Sequence, residues 1–216
     1  MNALIIVAHP DDEVIWIGGY IQRHRDFQWF AISACYGGDL GRSVAFAQSC
    51  RKLGIYNHHI FSYPDDHNQI NDISLKADLK NVINGWVTAY GAFSIVFTHN
   101  KENGEYGHET HKKVGKVVCE NVSEIFSSTP TLYQFNYKAS FPENQQAVEM
   151  SDFERHENIR IEVAPTAASD SSKFLFLRHD ELSKKLEILS TVYAAQRGDF
   201  RNLSWPCPNP EGFKEL

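Results

Sequence analysis

The stretch ALIIVAHPDDE, residues 3–13, decides how the rest of the chain is read. Ala3 to Val7 is short, apolar and partly β-branched, with no polar alternation. That is the pattern of a parallel strand buried on both faces. His9, Pro10 and three acids follow at once. Pro10 stiffens the turn and removes a donor. Asp11, Asp12 and Glu13 then stand at a helix start, and Val14 to Arg25 continues it for about three turns. Gly18 and Gly19 lie inside that pattern at a cost of up to ~1 kcal/mol each, so close packing against a sheet is the expected reason for them.

The same alternation continues outward. Strands are expected at Gln28–Ala34, His58–Ser62 and Phe93–Thr98. Helices are expected at Ser43–Leu53, stopped by Gly54, from an N-cap at Ser74 to Tyr90, and at His108–Val122. Tyr36–Gly41, Tyr63–Asp72 and Asn100–Gly107 read as loops. After Pro130 the pattern loosens: strands at Thr131–Tyr137 and Ile159–Val163, a last helix at Ser183–Gln196, and an extended tail with three prolines. Strand–helix alternation with short loops predicts an α/β fold, a mostly parallel sheet with helices on both faces. One domain over 1–216 is expected, with a core over 1–137 and a less regular part over 138–216 that carries the helix at 183–196.

Composition agrees with this. The 216 residues are 42% apolar and 22% charged, ordinary globular usage that excludes collagen, coiled coil and wholesale disorder. The formal charge is −6 with no Lys/Arg block, which argues against a nucleic-acid partner. Cys35, Cys50, Cys119 and Cys207 are scattered without a CxxC pair, so nothing demands an oxidising compartment. Cys50 and Cys119 read as buried helix thiols. No signal-peptide pattern is visible, and no run approaches the ~18 apolar residues of a membrane span. A cytoplasmic protein without a transmembrane segment is expected.

The polar clusters HPDDE, YGGDLGR, YPDDHN and HNKENGEYGHETH all follow expected strands. In an open α/β sheet such loops gather outside the carboxyl ends of the strands, where ligands bind. His9 and Asp12, three apart, can converge on one divalent cation, and mixed His/carboxylate ligation suits Zn²⁺. Asp11 is then left beside the metal as a proton acceptor. Acids that merely offset a helix dipole are the plainer reading; a histidine plus three acids directly after a strand goes beyond it. His108 and His111, at i and i+3, face one side of a helix. Alone, the pair is no more than a solvated face. With His111 added, the set His9, Asp12 and His111 leaves a fourth position open, as in catalytic rather than structural zinc. No GxSxG, Walker A, HExxH or GxGxxG is present, which sets aside a nicotinamide enzyme.

AHPDDE after a first strand, YGGDLGR, and GEYGHETH after a fourth strand together resemble the PIG-L/LmbE-like family of zinc-dependent de-N-acetylases. The resemblance spans Met1 to Val122, and KLEILSTVYAAQ (185–196) is similar to the family's late helix ending in Tyr-x-x-Gln. It implies a Rossmann-like α/β fold and one zinc per chain on His9, Asp12 and His111. It also implies Asp11 as general base and His108, protonated, as the group that stabilises the oxyanion. Arg42 matches a substrate-touching arginine, and Asp65 an aspartate of the loop after the third strand. Tyr106, Tyr36 and Trp16 are further candidates for a sugar face, Trp16 being better suited to the core. The implied reaction is hydrolysis of an N-acetyl (or N-acyl) group on a hexosamine unit or its conjugate, giving acetate and a free amine. Ala45, Asp66 and Glu109-Thr110 depart from the family pattern at positions that bear on substrate shape more than on metal. A phosphate esterase is disfavoured because three acids repel a phosphoryl dianion, and an inactive sugar binder has no need of Asp11. A homo-oligomer is compatible with this reading.

Overall fold

The first strand, β1 (Asn2–Val7), lies at the centre of the molecule because nothing between Ala3 and Val7 can face water; all five residues are fully buried. In the computed structural model, which describes residues 1–136, 173–175, 177–194 and 211–215, β1 pairs in parallel with β2 (Gln28–Cys35) on one side. On the other it pairs with β4 (Phe93–Thr98). β3 (Asn57–Tyr63) continues beyond β2, and β5 (Thr131–Phe135) beyond β4, both parallel. The expected parallel sheet is therefore present in the order β3-β2-β1-β4-β5. Two strands extend it antiparallel at the β5 edge: β7 (Glu211–Glu215) pairs with β5, and β6 (Lys173–Leu175) with β7. β7 falls in the tail read as merely extended.

Alternate residues of each strand point to opposite faces, and the core divides accordingly. Ile5, Val7, Trp29 and Phe97 pack with α1 (Asp12–Ile15), α2 (Gly18–Arg23), α3 (Leu40–Leu53) and α8 (His179–Thr191). Leu4, Ile6, Phe30 and Val96 pack with α4 (Asp72–Tyr90), α6 (Glu109–Glu120) and α7 (Val122–Ile125). Helices thus cover both faces.

Several boundaries differ from expectation, each for a local reason. The single helix expected over 14–25 is broken between α1 and α2, and the carbonyl of Ile15 at the break is taken by the buried Lys185 ammonium at 2.9 Å. The cap of α4 is Asn71, whose side chain accepts the Ser74 N–H at 3.0 Å; Ser74 lies inside the first turn. Asp39 caps α3 in the same way through the Arg42 N–H. The loop expected over 100–107 contains a one-turn helix, α5 (Gly104–Gly107). The last helix begins four residues early, with Glu181 accepting the Arg178 N–H at 2.8 Å. Cys50 is buried, whereas Cys119 is half-buried. The strand expected at Ile159–Val163 and residues Tyr137 and Gln196 lie outside the described residues.

Candidate metal and catalytic site

The chain moves from β1 outward to β2 and β3, then crosses back to β4. The connections part between β1 and β4, so a crevice opens at the carboxyl ends of those two strands. HPDDE leaves β1 there, and HNKENGEYGHETH leaves β4. The sequence positions of the site residues are remote, but the topology makes them neighbours.

The turn after β1 is built around Asp12. One of its oxygens accepts the His9 N–H at 2.8 Å, and the other accepts the Trp16 Nε1–H at 2.8 Å. Trp16 is therefore a core residue that anchors a site carboxylate, not a sugar platform. Asp11 is different. Its φ is 118°, a region that costs a non-glycine residue about 1–3 kcal/mol. Its N–H donates to Glu13 at 3.0 Å, while its own carboxylate makes no hydrogen bond among the described residues. Burial and the Asp12 charge push the Asp11 carboxyl well above the ordinary range. Asp12 is held well below it: burial opposes this, but His111 and His99 outweigh burial. Adjacent carboxylates are thus driven apart, one held by donors and one bare.

Three histidines and one more acid arrive from the β4 side. His99 is fully buried and stacks on His111 with ring centroids 3.9 Å apart. Gly115 permits this, since a Cβ there would overlap the His99 carbonyl. Glu105, also buried and at φ 31°, accepts from His99 Nδ1 at 2.5 Å and from His111 Nδ1 at 3.1 Å. His108 caps α6 and is exposed, 4.5 Å from His111 between centroids and 4.9 Å from His9. Partial burial of the ring and the neighbouring His9 lower its pKa.

Hydrogen placement follows from the acceptors. His9 Nε2 lies 2.8 Å from Asp65 Oδ1, and a carboxylate only accepts, so that nitrogen carries a hydrogen. By the same rule His111 carries its hydrogen on Nδ1, toward Glu105. The two remaining nitrogens, His9 Nδ1 and His111 Nε2, face each other at 3.0 Å. Asp12 oxygens lie 3.4 and 3.5 Å from them. Two lone pairs and a carboxylate cannot converge in a buried place without a positive charge. A proton can supply one: burial opposes it on His9, but hydrogen bonds to Asp12 and Asp65 raise that ring to about 10. His111 is held down at about 4, chiefly by burial. A divalent cation fits as well, because ligand atoms about 2.0–2.1 Å from a tetrahedral metal lie roughly 3.2–3.5 Å apart.

Two overlapping groups could hold an ion by proximity alone: His9, His108 and His111, and the buried Asp12, His99 and His111. His99 is the weaker donor, because its Nε2 accepts the Ala8 N–H at 2.9 Å and its Nδ1 faces Glu105. Burial works against a charge on His99, while Glu105 and Asp12 bring the balance to about 9. The Ala8 N–H still requires a bare Nε2, which keeps the ring neutral.

The expected site residues divide as follows. His9, Asp11, Asp12, His108 and His111 come together. Asp65 joins them, but both its oxygens are engaged, one by His9 and one by the Tyr36 hydroxyl at 2.8 Å. Arg42 lies over the Tyr36 ring, 4.0 Å from its centroid, and its charge reaches Asp11. The side chain of Tyr106 lies outside the described residues. Sequence reasoning missed His99 and Glu105. Neither stands out within its polar segment, although His99 is the first residue after a buried strand at the ligand edge.

Comparison with known proteins gives a consistent result. The family described as GlcNAc-PI de-N-acetylase, PIG-L, matches residues 4–122, more than half of the chain. An uncharacterized protein of Acanthamoeba polyphaga mimivirus is 27% identical over 158 residues, 64% of this chain and 63% of that protein, so the chain spans less than two thirds of that relative. Among solved structures, the N,N'-diacetylchitobiose deacetylase of Pyrococcus horikoshii superposes with a TM-score of 0.64 at 14% identity, covering 100% of this chain and 83% of its own. A deacetylase of the teicoplanin biosynthesis pathway gives 0.63 at 11%, covering 93% and 87%. The 4-carboxy-2-hydroxymuconate hydratase GalB of Pseudomonas putida gives 0.59 at 15%, covering 100% and 95%. At such identities these structures speak for the fold, and the same fold carries a hydratase. The family match carries more: this chain belongs to the GlcNAc-PI de-N-acetylase (PIG-L) family.

Proposed function

We propose that the protein is a zinc-dependent hydrolase that removes the acetyl group from an N-acetyl-hexosamine unit, releasing acetate and a free amine. The observation that carries this reading is the approach of His9 Nδ1 and His111 Nε2 to 3.0 Å beside the Asp12 carboxylate. His9, Asp12 and His111 would hold one zinc per chain, and nitrogen plus carboxylate donors suit that metal. When bound, the metal supplies Lewis acidity, which makes both an amide carbonyl and a water more reactive.

The chain's own residues account for the proton movements. Asp11, next to this group, has a carboxylate that makes no hydrogen bond among the described residues. It takes a proton from water as the water oxygen joins the carbonyl carbon. It returns that proton to the nitrogen as the C–N bond breaks, so that the amine leaves neutral. His108, on the exposed side, donates its ring N–H to the carbonyl oxygen as negative charge develops there. Arg42, over the Tyr36 ring, contacts the sugar. Asp65, with one oxygen on His9 and the other on Tyr36, shapes the site through both and keeps acceptor capacity for a substrate hydroxyl. A cytoplasmic location accompanies this reading, supported by free thiols at Cys35, Cys50 and Cys119.

The test is acetate release from N-acetyl sugars, free and conjugated, by the zinc-loaded full chain, with metal content measured alongside. Activity confined to phosphate esters, or hydration of a double bond without acetate release, would overturn the assignment.

A further inference from the structure

Asp11 is held by a residue two positions on. Its N–H donates to Glu13 Oε2 at 3.0 Å, and this is the contact that accompanies its φ of 118°. Glu13 is fully buried. Its other oxygen accepts from two hydroxyls brought in from distant parts of the chain, Ser49 on α3 and Tyr193 just after α8, the latter at 2.6 Å. The two hydroxyl oxygens lie 2.9 Å apart. Each hydroxyl has one hydrogen to give, and the carboxylate has room for both and for the Asp11 N–H. The Ser49 hydroxyl also lies 2.9 Å from the Phe46 carbonyl.

α8 is also fastened to the ends of α1 and α2. Lys185 donates to the Ile15 carbonyl at 2.9 Å, and Arg23 pairs with Glu181, its Nε at 2.8 Å. Both α8 and Tyr193 lie beyond residue 122, where the family match ends. The back of the HPDDE turn is therefore supported by a segment outside the part of the chain that resembles the family most.

We propose that Glu13, held by Ser49 and Tyr193, is a positioning residue: it fixes the strained backbone of Asp11 and thereby aims the Asp11 carboxylate at the substrate. This rests on the reading of Asp11 as proton acceptor. The role needs hydrogen bonds and not a charge. A glutamine at position 13 can accept the Asp11 N–H with its oxygen and donate its NH₂ to the two hydroxyl oxygens, with the Ser49 hydrogen turned to the Phe46 carbonyl and the Tyr193 hydrogen to the Ser49 oxygen. A proton relay or a purely electrostatic role predicts the opposite for that substitution.

The experiment uses the zinc-loaded full chain and compares Ser49→Ala/Tyr193→Phe with Glu13→Gln. Zinc content, kcat and KM for acetate release from an N-acetyl-hexosamine substrate, and amide exchange at Asp11 are measured on each. In the double variant kcat should fall about 10–100-fold, the scale of a small misplacement of a reacting group, with zinc content and KM within about threefold. Its Asp11 amide should exchange roughly tenfold faster, the loss expected for one weakened hydrogen bond. Glu13→Gln should keep kcat within about fivefold, given the hydrogen-bonding capacity of an amide. Unchanged kcat or unchanged Asp11 exchange in the double variant overturns the proposal, as does a loss in Glu13→Gln equal to that in the double variant. If the double variant does not fold, Tyr193→Phe alone must show the same split at smaller size. If the wild-type chain releases acetate from no N-acetyl sugar, the proposed function fails, and the exchange rates still decide whether Glu13 holds the turn.

Discussion

The turn after β1 and the turn after β4 face the same crevice and are built on opposite plans. The first places its chemistry in consecutive residues: His9, Asp11, Asp12 and Glu13 lie within five positions and are all buried. The second spreads its chemistry over thirteen positions, from His99 to His111, and folds it back through the one-turn helix α5 and a positive φ at Glu105. Each turn contributes a histidine whose far nitrogen is held by a carboxylate, Asp65 for His9 and Glu105 for His111. A compact turn fixes geometry by local sterics, whereas a dispersed one must fix it by a network of hydrogen bonds. The two turns should therefore fail differently when single groups are removed.

The largest effect is expected where the two turns meet. His111→Ala removes one of the two facing nitrogens, and zinc content measured by elemental analysis should fall to a small fraction of the wild-type value. Asp12→Ala should also weaken metal binding, with activity partly restored by excess zinc. Wild-type zinc content in His111→Ala would take the β4 turn out of the metal group. Next in size is Asp11→Asn. It keeps the shape and the N–H bond to Glu13 but removes the basic oxygen, so zinc should stay and turnover should fall roughly 10²–10⁴-fold. A loss of metal in Asp11→Asn together with retention in Asp12→Ala would reverse the roles of the two aspartates.

These two predictions concern residues that the sequence already singled out, and the contrast between the turns explains why. In HPDDE the spacing favours His9 and Asp12 over Asp11 as the chelating pair, because the whole constellation fits inside one turn, and the family resemblance implies the same assignment. The parallel sheet was equally legible, since the run Ala3–Val7 admits no exposed face and the strand–helix alternation continues through Phe93–Thr98. His99 and Glu105 were not legible. Each is an ordinary polar residue in a polar segment until β4, α5 and α6 bring it against His111, and Gly115 makes room for that approach. Nor does any spacing show that Tyr193 reaches Glu13 across 180 positions. The break between α1 and α2 escaped notice for a related reason: the group that satisfies it, Lys185, comes from the other end of the chain.

Intermediate effects should distinguish the two carboxylate–histidine pairs. Glu105 is buried and accepts from two rings and from the Asn100 N–H, so Glu105→Gln must set an amide NH₂ against a donor. His111 then tends toward the tautomer whose hydrogen points at His9, and zinc affinity should fall by about 10–100-fold, the usual range for such partners. Asp65 keeps 26% of its side chain exposed, so water can replace part of its hold on His9. Asp65→Asn should fall at or below the lower end of that range. Zinc titration of both variants checks the order, and a larger loss in Asp65→Asn would show that the compact turn depends more on its carboxylate than the dispersed one does.

The smallest effect tests the support of the β1 turn alone. α8 packs on α1 and α2, and Glu181 is buried against Arg23. Burial alone would raise the Glu181 carboxyl, but the hydrogen bond from Arg23 and that from the Arg178 N–H bring it below its ordinary value of 4.5. A carboxylate whose pKa is lower folded than unfolded binds fewer protons in the native state. Its stabilisation is fully present above the unfolded value and is lost as pH falls through the folded one. Wild-type stability should therefore decline on the acid side, below about pH 4.5. Glu181→Gln should start from a lower melting temperature near neutral pH and show a shallower acid decline. Arg23 is partly exposed, which limits the loss to a modest one; for a domain of this size about 2–4 °C accompanies each kcal/mol. Glu181 contacts Arg23 and Arg178 and none of His9, Asp12 and His111, so zinc affinity should stay within about twofold of the wild-type value, as expected for distant, independent sites. An equal acid decline in both proteins would assign that decline to other carboxylates, and a large loss of zinc affinity would mean that the two turns are not held independently.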